Sequence, residues 1–458
     1  MPVATSTRCS SAFSLWRTAG VLAAGAGLLL AGLQPAHAAE TTPDGGYAEL
    51  PPAEQSQELK DAGLSPEDLQ REEALERLSR TTNPDFYTTP AQLPAANGSV
   101  LRHEASVFYV DPINLIKPNA ESTRILYKTT NARNEAVAAS GTVLKSKAAW
   151  KKSTPRPLVV MSPGTQGVDD SCAPSRQLAL GTNYEGINLT GLVNAGYNVV
   201  VPDYIGLGTE GIHTYMNRTD QAHAVLDAVR AAQGMGIDGI SAKTPVGAVG
   251  YSQGGGATAA AAEAAGSYAP EIDLKGAWAG APPADLAMTG KNLDSAFFAA
   301  LPFYVVAGAE EYGVPFRESL NEKGQVRYDN IRRSCTIKAV VSNALVQSRT
   351  LTKDGRSISQ MIGDPQMSEY LQEQKIGTAG RHPSVPVRIA HSVADDVVPY
   401  QSGRQLAQRW CASGSNVSFQ PLVTPTHLGG YVEGLPSALE FLNARFSGQK
   451  QLSSCWRL

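Results

Sequence analysis

Thr244-Pro245-Val246-Gly247-Ala248-Val249-Gly250-Tyr251-Ser252-Gln253-Gly254-Gly255-Gly256-Ala257 decides the fold. Its first half is a short, nearly all-apolar run, the pattern of a strand buried on both faces. Its second half matches G-x-S-x-G, and residues 257–265 behind it are helix-prone. A serine between such a strand and such a helix sits on a strained turn with its hydroxyl presented outward. Small residues at 250 and 254 let strand and helix approach closely. Gln253, next after the serine, would offer its backbone N–H to an oxyanion. The bare motif is weak in a chain with 43 glycines, and its flanks give it meaning.

Working outward, Pro157-Leu158-Val159-Val160-Met161, Asn198-Val199-Val200-Val201 and residues 385–389 are further short apolar runs. Helical stretches lie between them, notably 220–233, with Ala222, Val225, Leu226 and Val229 along one face. Strand alternating with helix implies an α/β fold with a doubly wound, mostly parallel sheet. Before it, residues 100–110 and 122–143 alternate apolar with polar, as antiparallel strands do. Residues 283–384 break the alternation with mixed, mostly helical sequence, which reads as an insertion.

A serine hydroxyl needs a base, and the base needs an acid to orient it. In this fold the chain order is Ser, then Asp or Glu, then His. His391-Ser392-Val393-Ala394-Asp395-Asp396-Val397-Val398-Pro399 follows a strand and fits the acid turn, with Asp395 as the acid and Asp396 as the fallback. Of seven histidines only His427 lies beyond it, in what reads as a loop after the strand-like 417–423. The second oxyanion donor is expected from Met161-Ser162-Pro163-Gly164-Thr165-Gln166-Gly167, through the N–H of Thr165 or Gln166. Gly206-Leu207-Gly208-Thr209-Glu210-Gly211 imitates a dinucleotide fingerprint, but no helix opens directly behind it to hold a pyrophosphate.

The chain has 458 residues, 42% hydrophobic and 18% charged, which excludes disorder as the dominant state. With 39 basic against 42 acidic residues there is no positive excess for a polyanion, so nucleic acid is not an expected partner. Residues 1–38 carry Arg8, Arg17 and an apolar run over 21–33, then end in Ala36-His37-Ala38. They read as a signal peptide cleaved after Ala38, making the protein secreted and extracellular. The apolar run is too short for the ~20 residues of a bilayer span, so no stable membrane anchor is expected. Cys9 leaves with the signal, and Cys172, Cys335, Cys411 and Cys455 remain. An even count in an oxidising compartment suggests two disulfides, with three pairings open. No C-x-x-C spacing occurs, and neither metal nor organic cofactor is expected.

With these residues in hand, the chain resembles the secretory lipase family typified by Candida antarctica lipase A, in an actinobacterial-type branch. Asp85-Phe86-Tyr87, Gly98-Ser99-Val100-Leu101-Arg102, Cys172-Ala173-Pro174-Ser175 and Val201-Pro202-Asp203-Tyr204-Ile205-Gly206-Leu207-Gly208 carry the likeness. It implies an α/β-hydrolase with a helical cap, cleaving carboxylic esters including triacylglycerols. It also implies the pairs Cys172–Cys335 and Cys411–Cys455. The oxyanion stretch Pro163-Gly164-Thr165-Gln166-Gly167 departs from the fungal form.

The organisation expected is a signal at 1–38, a polar extension at 39–84, core at 85–282, a cap or lid at 283–384 and core again at 385–458. The activity expected is a secreted serine ester hydrolase, a lipase or carboxylesterase acting on an ester or lipid. Phe298 and Leu301, in the apolar run at 297–306, are the expected acyl-pocket residues. Two alternatives share the fold: an acyltransferase using the same acyl-enzyme, and an inactive envelope-binding protein. Nothing in the sequence fixes an oligomeric state.

Overall fold

The computed structural model describes residues 66–458, so the expected signal at 1–38 and the first part of the extension lie outside the described residues. One nine-stranded sheet organises the chain, in the order β1-β2-β3-β5-β4-β6-β7-β8-β9. The strands β1 (Val100–Ser106), β2 (Ala120–Thr130) and β3 (Ala136–Ser146) form an antiparallel meander, and β3 joins β5 (Asn198–Ile205) antiparallel. From β5 onward every pairing is parallel, through β4 (Leu158–Ser162), β6 (Val246–Tyr251), β7 (Leu274–Gly280), β8 (Val387–Ser392) and β9 (Val417–Leu422). Every residue of β4, β5 and β6 is buried. That is why these strands read as continuous apolar runs.

Helices cover both faces. On one side α4 (Arg218–Gly234), α5 (Gln253–Tyr268) and α12 (Tyr400–Ala412) pack Val225, Ala228, Ala259, Leu406 and Trp410 against the sheet. On the other, α2 (Pro174–Leu180), α3 (Gly186–Asn194) and α13 (His427–Phe446) contribute Leu178, Leu189, Leu192, Phe441 and Leu442. Each fully buried side chain of that size is worth roughly 1.5–3 kcal/mol.

Residues 283–384 hold six helices, α6 (Leu286–Leu293), α7 (Leu301–Glu311), α8 (Glu322–Arg332), α9 (Thr336–Val341), α10 (Ile358–Met361) and α11 (Pro365–Gln374). They gather around a second hydrophobic cluster that includes Phe303, Tyr304, Phe316 and Tyr328 and is joined by Val168, Tyr215, Val397 and Val398 from the rest of the chain. The described part of the N-terminal extension is α1 (Pro66–Thr81), and it is docked rather than free. Ser79 Oγ donates to the Ser171 carbonyl at 2.6 Å, and the buried Glu76 accepts from the Cys335 N–H at 2.8 Å.

Both disulfides form as Cys172–Cys335 and Cys411–Cys455, with Cα separations of 5.3 and 5.4 Å. The first ties the segment after β4 to the start of α9. There Gly167 bridges Cys335 at φ +134°, and an added Cβ would lie 2.6 Å from Cys172 Sγ. Only glycine fits that crossing.

Candidate active site

Ser252 links β6 to α5 at φ 59°, ψ −122°, a backbone region that a non-glycine residue enters only at a cost of about 1–3 kcal/mol. Its surroundings enforce the conformation. A Cβ on Gly250 would fall 2.3 Å from the Gly254 carbonyl, one on Gly254 2.1 Å from the Ser162 carbonyl, and one on Gly255 2.0 Å from the Gly280 carbonyl. The three glycines therefore let α5 start directly against β4, β6 and β7. The Ser252 N–H donates to the Gly280 carbonyl at 3.0 Å, which fixes the turn to the end of β7.

The register of the sheet brings the remaining parts to this edge. Ser162 pairs with Gly250, so the turn at 163–166 leaves β4 beside the serine turn. The acid segment leaves β8, and the histidine follows β9. All four segments depart from the carboxyl ends of parallel strands, where open α/β sheets place their sites.

Asp395 Oδ2 accepts from His427 Nδ1 at 2.8 Å, and Asp395 Oδ1 accepts from the N–H groups of Val397 and Val398 at 2.9 and 2.8 Å. Burial alone would raise the pKa of this carboxyl. The hydrogen bonds from His391 and His427 outweigh burial and hold it well below the usual carboxylate range. His391, fully buried, donates through Nε2 to the Val398 carbonyl at 2.9 Å and stands 3.5 Å from Asp395 Oδ2. It lies four residues before the acid, and that spacing is the only sequence signal that could have drawn attention to it. Asp396 does not touch the imidazole. Its Oδ1 accepts from the His427 backbone N–H at 2.7 Å, so the fallback acid holds the histidine's main chain.

His427 is not a loop residue, as the sequence reading had it, but the first residue of α13. Thr426 caps that helix at φ 69°, accepting from the Gly429 N–H. Tyr251 reaches across from the serine turn and donates its hydroxyl to the His427 carbonyl at 2.8 Å, with the two rings 5.0 Å apart. With Nδ1–H committed to Asp395, Nε2 is the basic nitrogen. It is buried and has no hydrogen-bond partner among the described residues. A buried polar atom left unpaired is rare and calls for a reason.

The turn at 163–166 is tied down along its length. Tyr204 donates to the Pro163 carbonyl at 2.8 Å, Tyr184 and Thr336 Oγ1 both donate to the Thr165 carbonyl, and the Thr336 N–H donates to the Gln166 carbonyl. Thr165 Oγ1 and the Tyr215 hydroxyl share a 2.7 Å hydrogen bond. Gln253, 2% exposed, donates its side-chain amide to His213 Nε2 at 3.0 Å, while His213 Nδ1–H donates to the Ile205 carbonyl. Burial pushes the His213 imidazole down to about 4, so it is neutral and free to accept. The glycine-rich loop at 206–211 thus returns the chain to a histidine beneath the serine turn.

Ser252 and Gln253 form one wall of a pocket under the helices of residues 283–384. The rest is mostly apolar, with Leu286, Leu293, Leu301 and Ile358 from the helices of residues 283–384 and Val397 and Val398 from the segment after β8. Leu301 lines it. Phe298 does not: it is half-buried one turn before α7 and packs edge-on against Phe297 at 5.2 Å.

Three of the four segments quoted for the family resemblance converge on one buried polar network. The Tyr87 hydroxyl shares a hydrogen bond with Ser175 Oγ, and the Ser175 N–H and Oγ both donate to Asp203. Arg176 stacks 3.7 Å from the centre of the Tyr87 ring.

A mostly parallel sheet wound on both faces, with a strained serine turn at its carboxyl edge, defines an α/β-hydrolase. The chain belongs to the secretory lipase family, whose family model matches residues 172–454. It is 30% identical over 394 residues to a probable inactive lipase of Mycobacterium tuberculosis, covering 82% of this chain and 85% of that one. To lipase A of Moesziomyces aphidis it is 28% identical over 404 residues, covering 82% and 83%. The fold superposes on the X-ray structure of Candida antarctica lipase A with a TM-score of 0.68 and 26% identity, covering 82% and 88%. The protein is thus a hydrolase of the lipase and esterase class.

Proposed function

We propose that the protein is a secreted carboxylic ester hydrolase in which Ser252 attacks the ester carbonyl and forms an acyl-enzyme. His427 Nε2 takes the serine proton and returns it to the leaving alcohol, then activates water to release the acid. Asp395 fixes the imidazole tautomer and stabilises the imidazolium. The N–H of Gln253 and that of Thr165 or Gln166 hold the oxyanion. The acyl chain occupies the apolar cavity, under residues 283–384 acting as a cap. Relatives in Malassezia globosa named secreted triacylglycerol lipases support a lipid ester and an extracellular setting. No helix among the described residues is long and apolar enough to cross a membrane.

The observation that carries this reading is the buried, unpartnered Nε2 of His427, held by Asp395 on one side and by Tyr251 of the serine turn on the other. The test is turnover of p-nitrophenyl esters of increasing chain length, with Ser252→Ala as the blank and a competing alcohol present in a second series. Hydrolysis lost in Ser252→Ala supports the reading. Ester product dominating over acid would move it to an acyltransferase. The Mycobacterium tuberculosis relative favours a second reading, an inactive protein on this fold. Absence of turnover on every ester would establish it.

A further inference from the structure

Glu185 stands directly before α3, at the position where a short polar side chain ordinarily accepts from the first N–H groups of the helix. It makes no such bond. Its backbone carbonyl already accepts from the Asn188 and Leu189 N–H groups, and its side chain turns away to the carboxyl end of β4. There Oε2 accepts from the Gly164 N–H at 2.9 Å and from Gln166 Nε2 at 3.2 Å. The residue is 2% exposed. The preceding residue, Tyr184, donates to the Thr165 carbonyl at 3.1 Å, and a Cβ on Gly164 would lie 2.6 Å from its hydroxyl oxygen. Consecutive side chains of one turn thus grip three consecutive residues of the turn at 163–166.

We propose that Glu185 is a positioning residue for the oxyanion site, its carboxyl fixing the turn that carries the N–H of Thr165 and Gln166. This rests on the reading of Ser252 and that turn given above. A carboxyl buried without a cation must stay protonated to be tolerated. The titratable groups facing it are phenols, Tyr184 from its own turn, Tyr204 at the end of β5 and Tyr431 on α13. Burial raises its pKa to about 8, against the lowering by its hydrogen bonds from Gly164 and Gln166. The neutral acid accepts both hydrogen bonds without opposing an oxyanion nearby. Its ionisation places a negative charge behind the donors that must stabilise another.

The experiment measures kcat and KM for p-nitrophenyl acetate from pH 6 to 10 in the full-length enzyme, Glu185→Gln and Glu185→Ala, with Ser252→Ala as the blank. An oxyanion contact exists only in the transition state, so Glu185→Ala should lower kcat about 30- to 100-fold with KM nearly unchanged. Glu185→Gln keeps an acceptor and should stay within about threefold of wild-type kcat at pH 7. The decisive readout is the alkaline limb: wild-type kcat falls above about pH 8, and Glu185→Gln does not. An alkaline limb unchanged in Glu185→Gln overturns the proposal, whether or not Glu185→Ala folds. Wild-type kcat in a folded Glu185→Ala overturns it as well. Activity retained by Ser252→Ala would instead sink the catalytic reading, leaving the two failures distinguishable.

Discussion

Ser252 carries strain that the proposed nucleophile role explains. Glycine tolerates φ 59° where serine does not, so Ser252→Gly should abolish turnover yet raise stability by about 1 kcal/mol, read as a higher melting temperature. At the acid, Asp395→Asn should cut kcat about 10⁴-fold, because the Val397 and Val398 N–H groups hold the amide oxygen and turn the NH2 group toward Nδ1, which fixes the wrong tautomer. Asp396→Asn keeps an oxygen for the His427 N–H and should cost far less. Equal losses would remove the distinction between the two acids. The Asp395 pKa is depressed below its ordinary 3.8. The stability it contributes is therefore full above pH 4 and is lost as pH falls through its lowered value. Glu185 has the opposite sign. Its folded pKa is raised from 4.5 to about 8, so folding takes up a proton in that window and stability falls as pH rises through it. Glu185→Gln should then be more stable than wild type at pH 8 by on the order of a few kcal/mol, read as a higher melting temperature, and nearly alike at pH 4.5. Ser252, Asp395 and His427 could be picked out as candidates in the sequence because chain order admits one histidine after the acid, and the structure joins Asp395 to His427. Glu185 and His213 were not, since their partners arrive from other strands and no local spacing announces them.

At the scale of elements, α13 shows where pattern reading stops. Thr424-Pro425-Thr426-His427 looks like a loop, yet Thr426 at φ 69° caps a helix beginning at the histidine itself. Strand β7 went unread because Lys275 and Gly276 interrupt its apolar run, although a Cβ at Gly276 would lie 2.9 Å from the Pro386 carbonyl. The insertion offers a paired test. Leu301→Asn should depress activity on long acyl esters more than on acetate, while Phe298→Asn, outside the cavity, should leave that ratio unchanged. A ratio that shifts for Phe298 and not for Leu301 would place the acyl chain elsewhere. The disulfides differ in the same way. Loss of Cys411–Cys455, closing a 44-residue separation, removes about 4 kcal/mol of chain-entropy stabilisation and should leave kcat alone. Loss of Cys172–Cys335 should lower both the melting temperature and kcat, because Cys335 is bridged to Gly167, next to the turn at 163–166 proposed to hold the oxyanion.

Across the whole molecule, the parallel core was readable because strands buried on both faces have no polar alternation to lose. The order β3-β5-β4-β6 was not, since strand pairing is a tertiary outcome. That order matters for chemistry: it sets the turn after β4 beside the serine turn after β6, with the acid and histidine arriving from β8 and β9. Helix α1, read as part of a polar extension, is anchored through Glu76 and Ser79 to the segments flanking the Cys172–Cys335 disulfide. The central claim is that this arrangement makes Ser252 a nucleophile. The most direct measurement is intact-mass analysis of the folded protein after exposure to a fluorophosphonate, followed by peptide mapping. The account predicts one adduct per chain, on the peptide bearing Ser252, absent from Ser252→Ala and strongly slowed in Asp395→Asn. A folded protein that takes up no adduct, or carries it on another residue, would contradict it.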